Sequence, residues 1–92
     1  MAMAARFMRN MSIEAAPLQS ELMLFNATTK RFCLLNSSAA HVWNQLEQPR
    51  TAQELADALS DHFAAATREV VEADVRQVLD RLESLELVSR AS

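Results

Sequence analysis

The apolar residues change their spacing at Asn36, and this change limits the possible folds of the chain. Before Asn36, the segment RFCLL has Phe32 and Leu34 two positions apart, with the aromatic and branched side chains that suit a pleated strand. After Asn36, apolar residues recur at the spacing of an amphipathic helix, namely Ala39, Val42, Trp43 and Leu46. A strand that leads directly into a helix indicates a mixed α+β domain.

A second strand candidate lies just before the first and favours a hairpin. The segments ELMLF (Glu21–Phe25) and RFCLL (Arg31–Leu35) are separated by the loop NATTK, which is long enough for an antiparallel connection. Because this loop contains no glycine, we expect Asn26 to take a left-handed conformation, which its short polar side chain tolerates. A weaker strand pattern, SIEAAP, ends at Pro17.

The first two helices have recognisable ends. The first begins within residues 36–38, whose side chains can accept hydrogen bonds from the first turn, and extends to about Glu47. Pro49 ends it, because the residue before a proline avoids the helical region. The second opens with TAQE, in which Thr51 and Glu54 have the spacing of a capping box.

The third helix is the longest and extends from about residue 67 to residue 85. Its boundary with the second helix stays open, because AAATR could extend either one. The predicted fold is α+β and winged helix-turn-helix-like: an N-terminal antiparallel hairpin or three-stranded sheet, followed by a three-helix bundle.

Length and composition set further limits. The 92 residues provide material for one hydrophobic core. A single cysteine, Cys33, cannot form an internal disulfide and fits a reducing, cytoplasmic location. No apolar run approaches the roughly 18 residues that span a bilayer. We expect a flexible tail over residues 1–12, a folded domain over 13–88 and a short C-terminal tail over 89–92.

The sequence does not bring together the groups that an enzyme needs. His41 and His62 lie in different helices and lack the spacings that place metal ligands side by side. Cys33 alternates with apolar residues, which is typical of a small buried side chain, and no base is suggested nearby. The chain has no glycine and therefore no glycine-rich phosphate loop. We predict no catalytic residue, no metal site and no cofactor.

Charge argues against nucleic acid as a partner. Between residues 67 and 86, three arginines and six acidic residues give the third helix a net charge of 3 − 6 = −3. A helix that enters the major groove should be basic. A winged-helix regulator on DNA therefore stays only as an alternative function.

The order of motifs resembles the PqqD-like family, peptide chaperones that are also called precursor peptide recognition elements in the biosynthesis of ribosomally made, modified peptides. The similarity covers residues 13–88 and rests on three segments: ELMLFNATTKRFCLLNSSAAHVWNQL, RTAQELADALSDHF and EADVRQVLDRLESLELV. Relatives commonly have glycine in the hairpin turn and before the final LV, where this chain has NATTK and Glu86. We therefore expect the third helix to end without a left-handed cap, and the chain to serve a pathway other than that of the quinone cofactor.

The resemblance implies that residues 13–88 form a non-catalytic adaptor domain. In this family the leader of a precursor peptide adds as an antiparallel strand to an exposed sheet edge, beside a groove bounded by the third helix. Carried onto this sequence, the peptide-binding residues are Lys30, Arg31, Phe32, Cys33, Leu34, Leu35, Val71, Asp74, Val75, Val78, Arg81 and Leu82. For each of the apolar residues Phe32, Leu34, Val71, Val75, Val78 and Leu82, plain core packing is the alternative.

The resemblance also implies partners. These are the leader peptide and a peptide-modifying enzyme, such as a radical S-adenosylmethionine enzyme or a protease. From the charge and the short apolar runs described above, we expect neither nucleic acid nor a membrane as a partner. The adaptor is expected to be a monomer or a weak homodimer. Besides the DNA-binding regulator, a structural subunit whose edge strand is permanently paired remains an alternative.

Overall fold

The computed structural model describes residues 5–63 and 66–91, and it has the α+β architecture that the sequence predicts. Six strands and three helices lie in the described residues. The strands are β1 (Arg6–Arg9), β2 (Ile13–Leu18), β3 (Glu21–Asn26), β4 (Arg31–Leu35), β5 (Arg50–Thr51) and β6 (Val88–Ala91). The helices are α1 (Ser37–Gln45), α2 (Ala52–His62) and α3 (Arg68–Ser84).

The helix beginnings follow the local signals in the sequence. Asn36 caps α1, because its side chain accepts a hydrogen bond from the N–H of Ala39 at 2.9 Å. Thr51 and Glu54 form the predicted capping box at the start of α2. Helix α2 ends at His62, and Thr67 caps α3. These two residues define the boundary that the sequence does not determine. Residues 64–65 of the ambiguous segment lie outside the described residues.

Strands β2, β3 and β4 form an antiparallel sheet in that order. Lys30, rather than Asn26, takes the left-handed conformation in the β3–β4 turn, with φ 63°. The prediction for Asn26 is wrong because its side chain has another role. It is buried, and its Oδ1 accepts hydrogen bonds from the N–H groups of Thr28 at 3.0 Å and Thr29 at 3.3 Å.

A second antiparallel sheet, of order β5-β1-β6, replaces the predicted tails. Within the expected N-terminal tail, Arg6–Arg9 pair with β6, which itself contains most of the expected C-terminal tail. Phe7 is buried, and the Arg9 guanidinium donates two hydrogen bonds to the carbonyl of Trp43 while lying over its ring. Both ends of the described chain are therefore part of the folded domain.

The end of α3 also differs from the expectation. Glu86 adopts φ 59°, the left-handed cap usually taken by glycine. The N–H of Leu87 donates to the carbonyl of Leu82 at 2.8 Å, and the N–H of Glu86 donates to that of Glu83 at 3.0 Å. These two bonds define a Schellman motif, in which otherwise unpaired carbonyls of the last turn are satisfied.

One hydrophobic core joins the three helices to both sheets. Leu24 from β3, Leu55 from α2 and Leu82 from α3 are fully buried at its centre, and Trp43 of α1 packs among them. The core thus holds the inner face of the β2–β4 sheet against the helices and fixes the position of β4.

Candidate functional site

Strand β4 is the accessible edge of its sheet. In the order β2-β3-β4, it is bonded to β3 on one side, and no strand of the described residues pairs with its other side. Unpaired N–H and C=O groups on such an edge can bind an extended peptide.

The opposite edge of the same sheet is protected. Pro17 lies in β2, opposite Leu22 of β3, and a proline has no N–H to offer to a further strand. Strand β4 carries no proline. The two edges therefore differ in their ability to accept another strand, and the difference favours β4.

The side chains of β4 alternate between the core and solvent. Cys33 and Leu35 are 3% and 1% exposed, whereas Phe32 and Leu34 are 64% and 47% exposed. Burial raises the pKa of the Cys33 thiol, and the positive charge of the Arg81 guanidinium acts in the opposite direction. Cys33 is therefore a protonated side chain of the core. Phe32 and Leu34 lie on the outer face of the sheet, away from α3.

The predicted residues of α3 divide into three groups. Val71, Val75 and Leu82 are buried and belong to the core, and Val78 is half-buried at its margin. Asp74 and Arg81 are exposed. The positive charge of Arg81 is close enough to β4 to affect the Cys33 thiol.

The predicted residues of α3 also line two different cavities. Val71 and Asp74 line a cavity of about 320 Å³ together with Asn36, which directly follows β4. Val75 lines a different cavity, of about 510 Å³, which also includes Phe7 of β1. The structure thus brings Val71 and Asp74 to the end of β4 but places Val75 beside the other sheet.

Opposite charges lie at the two ends of β4. Lys30 and Arg31 are exposed where the strand begins, after the β3–β4 turn. Asp74 lines the cavity at the other end, beside Asn36. The β4 edge therefore has positive charge at its beginning and negative charge at its end.

The two histidines, which the sequence separates, are in contact. The rings of His41 and His62 stack with their centroids 4.3 Å apart, and Phe63 lies edge-on to both. Burial lowers the pKa of His41, the charge of His62 lowers it further, and a backbone hydrogen bond with Ala58 acts in the opposite direction. Helix packing creates this contact, so no local spacing in the sequence could have indicated it.

Two residues near β4 are not among the binding residues that the sequence predicts. Phe25 of β3 packs against Phe32 with ring centroids 4.8 Å apart. Asn26 donates from Nδ2 to the carbonyl of Glu86 at 3.3 Å, which ties the β3–β4 turn to the end of α3. The apolar alternation of ELMLF was the available signal for Phe25, and no sequence signal indicated the long-range bond of Asn26.

No group of three or more histidine, cysteine or acidic side chains suited to a metal ion occurs within residues 5–63 and 66–91. In the same part of the chain, no helix has both the length and the apolar character needed to cross a membrane.

Comparisons with known proteins agree with this architecture. The family model for coenzyme PQQ synthesis protein D (PqqD) matches residues 21–88. The solved structure of TbiB1 in complex with the TbiA(beta) leader peptide superposes with a TM-score of 0.79 at 24% sequence identity. This match covers 89% of the present chain and 94% of the TbiB1 chain, and it shows a shared fold. No curated protein sequence gives a significant match.

Proposed function

The chain belongs to the PqqD family, and from this membership we propose that it is a non-catalytic adaptor for a ribosomally made precursor peptide. In this proposal β4 binds the leader of the precursor by strand addition, and the adaptor presents the attached core peptide to a modifying enzyme. Residues 13–88 carry the binding function, while β1 and β6 complete the fold around it.

The observation that carries the proposal is the difference between the two edges of the β2–β4 sheet. Strand β4 has no proline and no described partner on its outer side, whereas Pro17 obstructs β2. The shared fold with TbiB1, whose solved structure contains a leader peptide, supports a leader peptide as the ligand.

The geometry suggests how a docked strand would be held. Backbone groups of Arg31–Leu35 would form the ladder. Side chains of the leader on the inner side of the sheet would point towards Val78 and Arg81 of α3. Val71 and Leu82 would support this surface from the core. Because a disordered leader loses conformational entropy on docking, binding would be reversible, as transfer to an enzyme requires.

Charge would orient the leader. In an antiparallel arrangement, the C-terminal end of the docked segment lies beside Lys30 and Arg31, and its N-terminal end lies beside Asp74. Acidic residues at the former end and basic residues at the latter would be favoured. Each exposed pair contributes about 0.2–1 kcal/mol, so charge would select the direction while the ladder and apolar contacts supply most of the affinity.

A titration with synthetic leader peptides tests the proposal. Fluorescent peptides that tile the leader encoded by a neighbouring precursor gene should include one that binds saturably with a Kd below about 100 μM. Absence of saturable binding by every tile would contradict the adaptor function.

Backbone N-methylation of the binding tile then tests strand addition itself. N-methylation removes one N–H at a time, and in an antiparallel ladder only every second residue directs its N–H towards the neighbouring strand. Affinity should therefore fall at alternate positions of the docked segment. A loss at every position, or at a helical spacing, would contradict strand addition even where the peptide binds.

A further inference from the structure

The outer face of the β2–β4 sheet consists of rows of facing residues. The register places one residue of each strand in a row, and two rows end on β4. The first row is Glu14, Phe25 and Phe32, and the second is Ala16, Met23 and Leu34. A further strand at the β4 edge would add a fourth residue to each row, beside Phe32 and Leu34.

Both terminal residues of these rows are large, apolar and exposed. Phe32 is 64% exposed and Leu34 is 47% exposed. Edge strands are usually protected by charged side chains, proline or a bulge, since an exposed apolar edge promotes unwanted pairing. In the β2–β4 sheet, the edge without proline therefore exposes two large apolar side chains. This exposure is unfavourable for the isolated protein, and a bound strand would remove it.

We infer that Phe32 and Leu34 form an outward specificity surface for the docked leader, distinct from the groove beside α3. The inference rests on the proposed adaptor function and extends it to the class of peptide that binds. The docked segment carries apolar side chains at the two outward positions, next to Phe32 and Leu34, as well as at its inward positions. It is a run of about four consecutive apolar residues, because successive side chains of a strand point to opposite faces.

The aromatic pair on this face supports a strand as the occupant. The ring of Phe25 lies 4.8 Å from that of Phe32, with the two planes tilted by 40°. This contact braces Phe32 from the β3 side, and a shallow cavity of about 240 Å³ continues from the pair towards Glu14 and Ala16 of β2. A neighbouring strand would cover Phe32 from the β4 side, as cross-strand pairs do within a sheet.

The size of the surface argues against a second copy of the chain as its occupant. A stable protein interface buries roughly 800 Å² on each partner. Two exposed side chains provide only a small part of that area, whereas they match the two outward residues of one short peptide strand.

Serine substitutions on the two edges of the sheet test the inference. Phe32→Ser and Leu34→Ser alter the proposed surface, and Leu18→Ser is the matched control on β2, since Leu18 is 46% exposed. Binding of the saturating leader tile should weaken about threefold to fivefold for each β4 variant, the upper part of the range for the loss of one apolar cross-strand contact. Leu18→Ser should leave the affinity within about twofold.

A second arm uses the wild-type chain and varies the peptide. Serine is placed at each position of the docked segment in turn, so the result does not depend on how well a protein variant folds. Loss of affinity at both the inward and the outward positions is expected. Loss at the inward positions alone would overturn the inference.

The outcomes separate this inference from the proposed function. If a leader tile binds the wild-type chain but Phe32→Ser and Leu34→Ser bind it equally well, the outward surface is wrong and the adaptor function stands. If no tile binds, the adaptor function itself fails. If the β4 variants instead abolish a concentration-dependent dimer in sedimentation and leave peptide affinity unchanged, the occupant is a second copy and the inference is overturned.

Discussion

Replacing Asn26 by alanine would remove the link between the β3–β4 turn and the end of α3. Asn26 is fully buried, and its side chain makes three hydrogen bonds. Nδ2 donates to the carbonyl of Glu86 at 3.3 Å, and Oδ1 accepts from the N–H groups of Thr28 and Thr29 at 3.0 and 3.3 Å. The turn that begins β4 is thereby tied to the helix that borders the proposed groove.

The cost of Asn26→Ala can be estimated from these contacts. A hydrogen bond contributes about 1 kcal/mol net, and a buried group left without a partner costs about 1–3 kcal/mol. The carbonyl of Glu86 keeps a second donor, Asn10 Nδ2 at 3.0 Å, and the exposed Thr28 can turn to water. These compensations reduce the expected loss to about 2–3 kcal/mol.

Urea unfolding at neutral pH measures this loss. With a slope of about 1–1.5 kcal/mol per molar urea, the midpoint should fall by about 1.3–3 M. Asn44→Ala is the control, because Asn44 is exposed on α1 and its replacement should change stability by no more than about 0.5 kcal/mol. A midpoint for Asn26→Ala within about 0.5 M of the wild type would refute the role assigned to this side chain.

Two further predictions concern the end of α3 and the histidine pair. Glu86→Gly should stabilise the fold by about 0.5–1 kcal/mol, because glycine relieves the left-handed cap at φ 59°. Glu86→Ala, which keeps a side chain at the strained position, should give no comparable rise in thermal midpoint, and equal midpoints for the two variants would contradict the strain. Because burial and His62 lower the pKa of His41 from its ordinary 6.5, the unfolded chain binds a proton at His41 more readily than the folded one, so stability should fall as the pH drops below that value. His41→Gln should flatten this fall in urea midpoints taken between about pH 7.5 and pH 5.5, and an unchanged profile would show that other groups cause it.

Local signals in the sequence were sufficient for the helices and for the hairpin. The change of period at Asn36 and the capping box at Thr51 each depend on residues within one turn of one another, whereas the boundary between α2 and α3 stayed open until the structure placed the cap at Thr67. The same holds for the alternation that identifies β4. Such features are encoded by adjacent residues, and tertiary packing did not override them.

Features that depend on distant residues were not predicted. Arg6–Arg9 become a strand because they pair with Val88–Ala91, about 80 positions along the chain, and neither segment is long enough to show a strand pattern alone. The strained cap at Glu86 is retained because tertiary hydrogen bonds from Asn10 and Asn26 hold its carbonyl.

The candidate site was predictable in part for the same reason. The position of β4 followed from its sequence, but which side of α3 faces it did not. The apolar stripe of α3 packs against the core on more than one side. Val75 lies beside the other sheet and Val71 lies beside the end of β4, and a helical period alone does not distinguish the two positions. Within β4, alternation identified two faces without showing which one was buried.

Amide hydrogen exchange of the chain, free and saturated with its leader peptide, tests the central claim most directly. If the leader adds as a strand to β4, alternate amides of Arg31–Leu35 should become protected by at least about tenfold, because they gain hydrogen bonds to the peptide. The amides of β2, at the obstructed edge, should exchange as before. Protection confined to β2 or to the β5-β1-β6 sheet, with β4 unchanged, would contradict binding at the β4 edge.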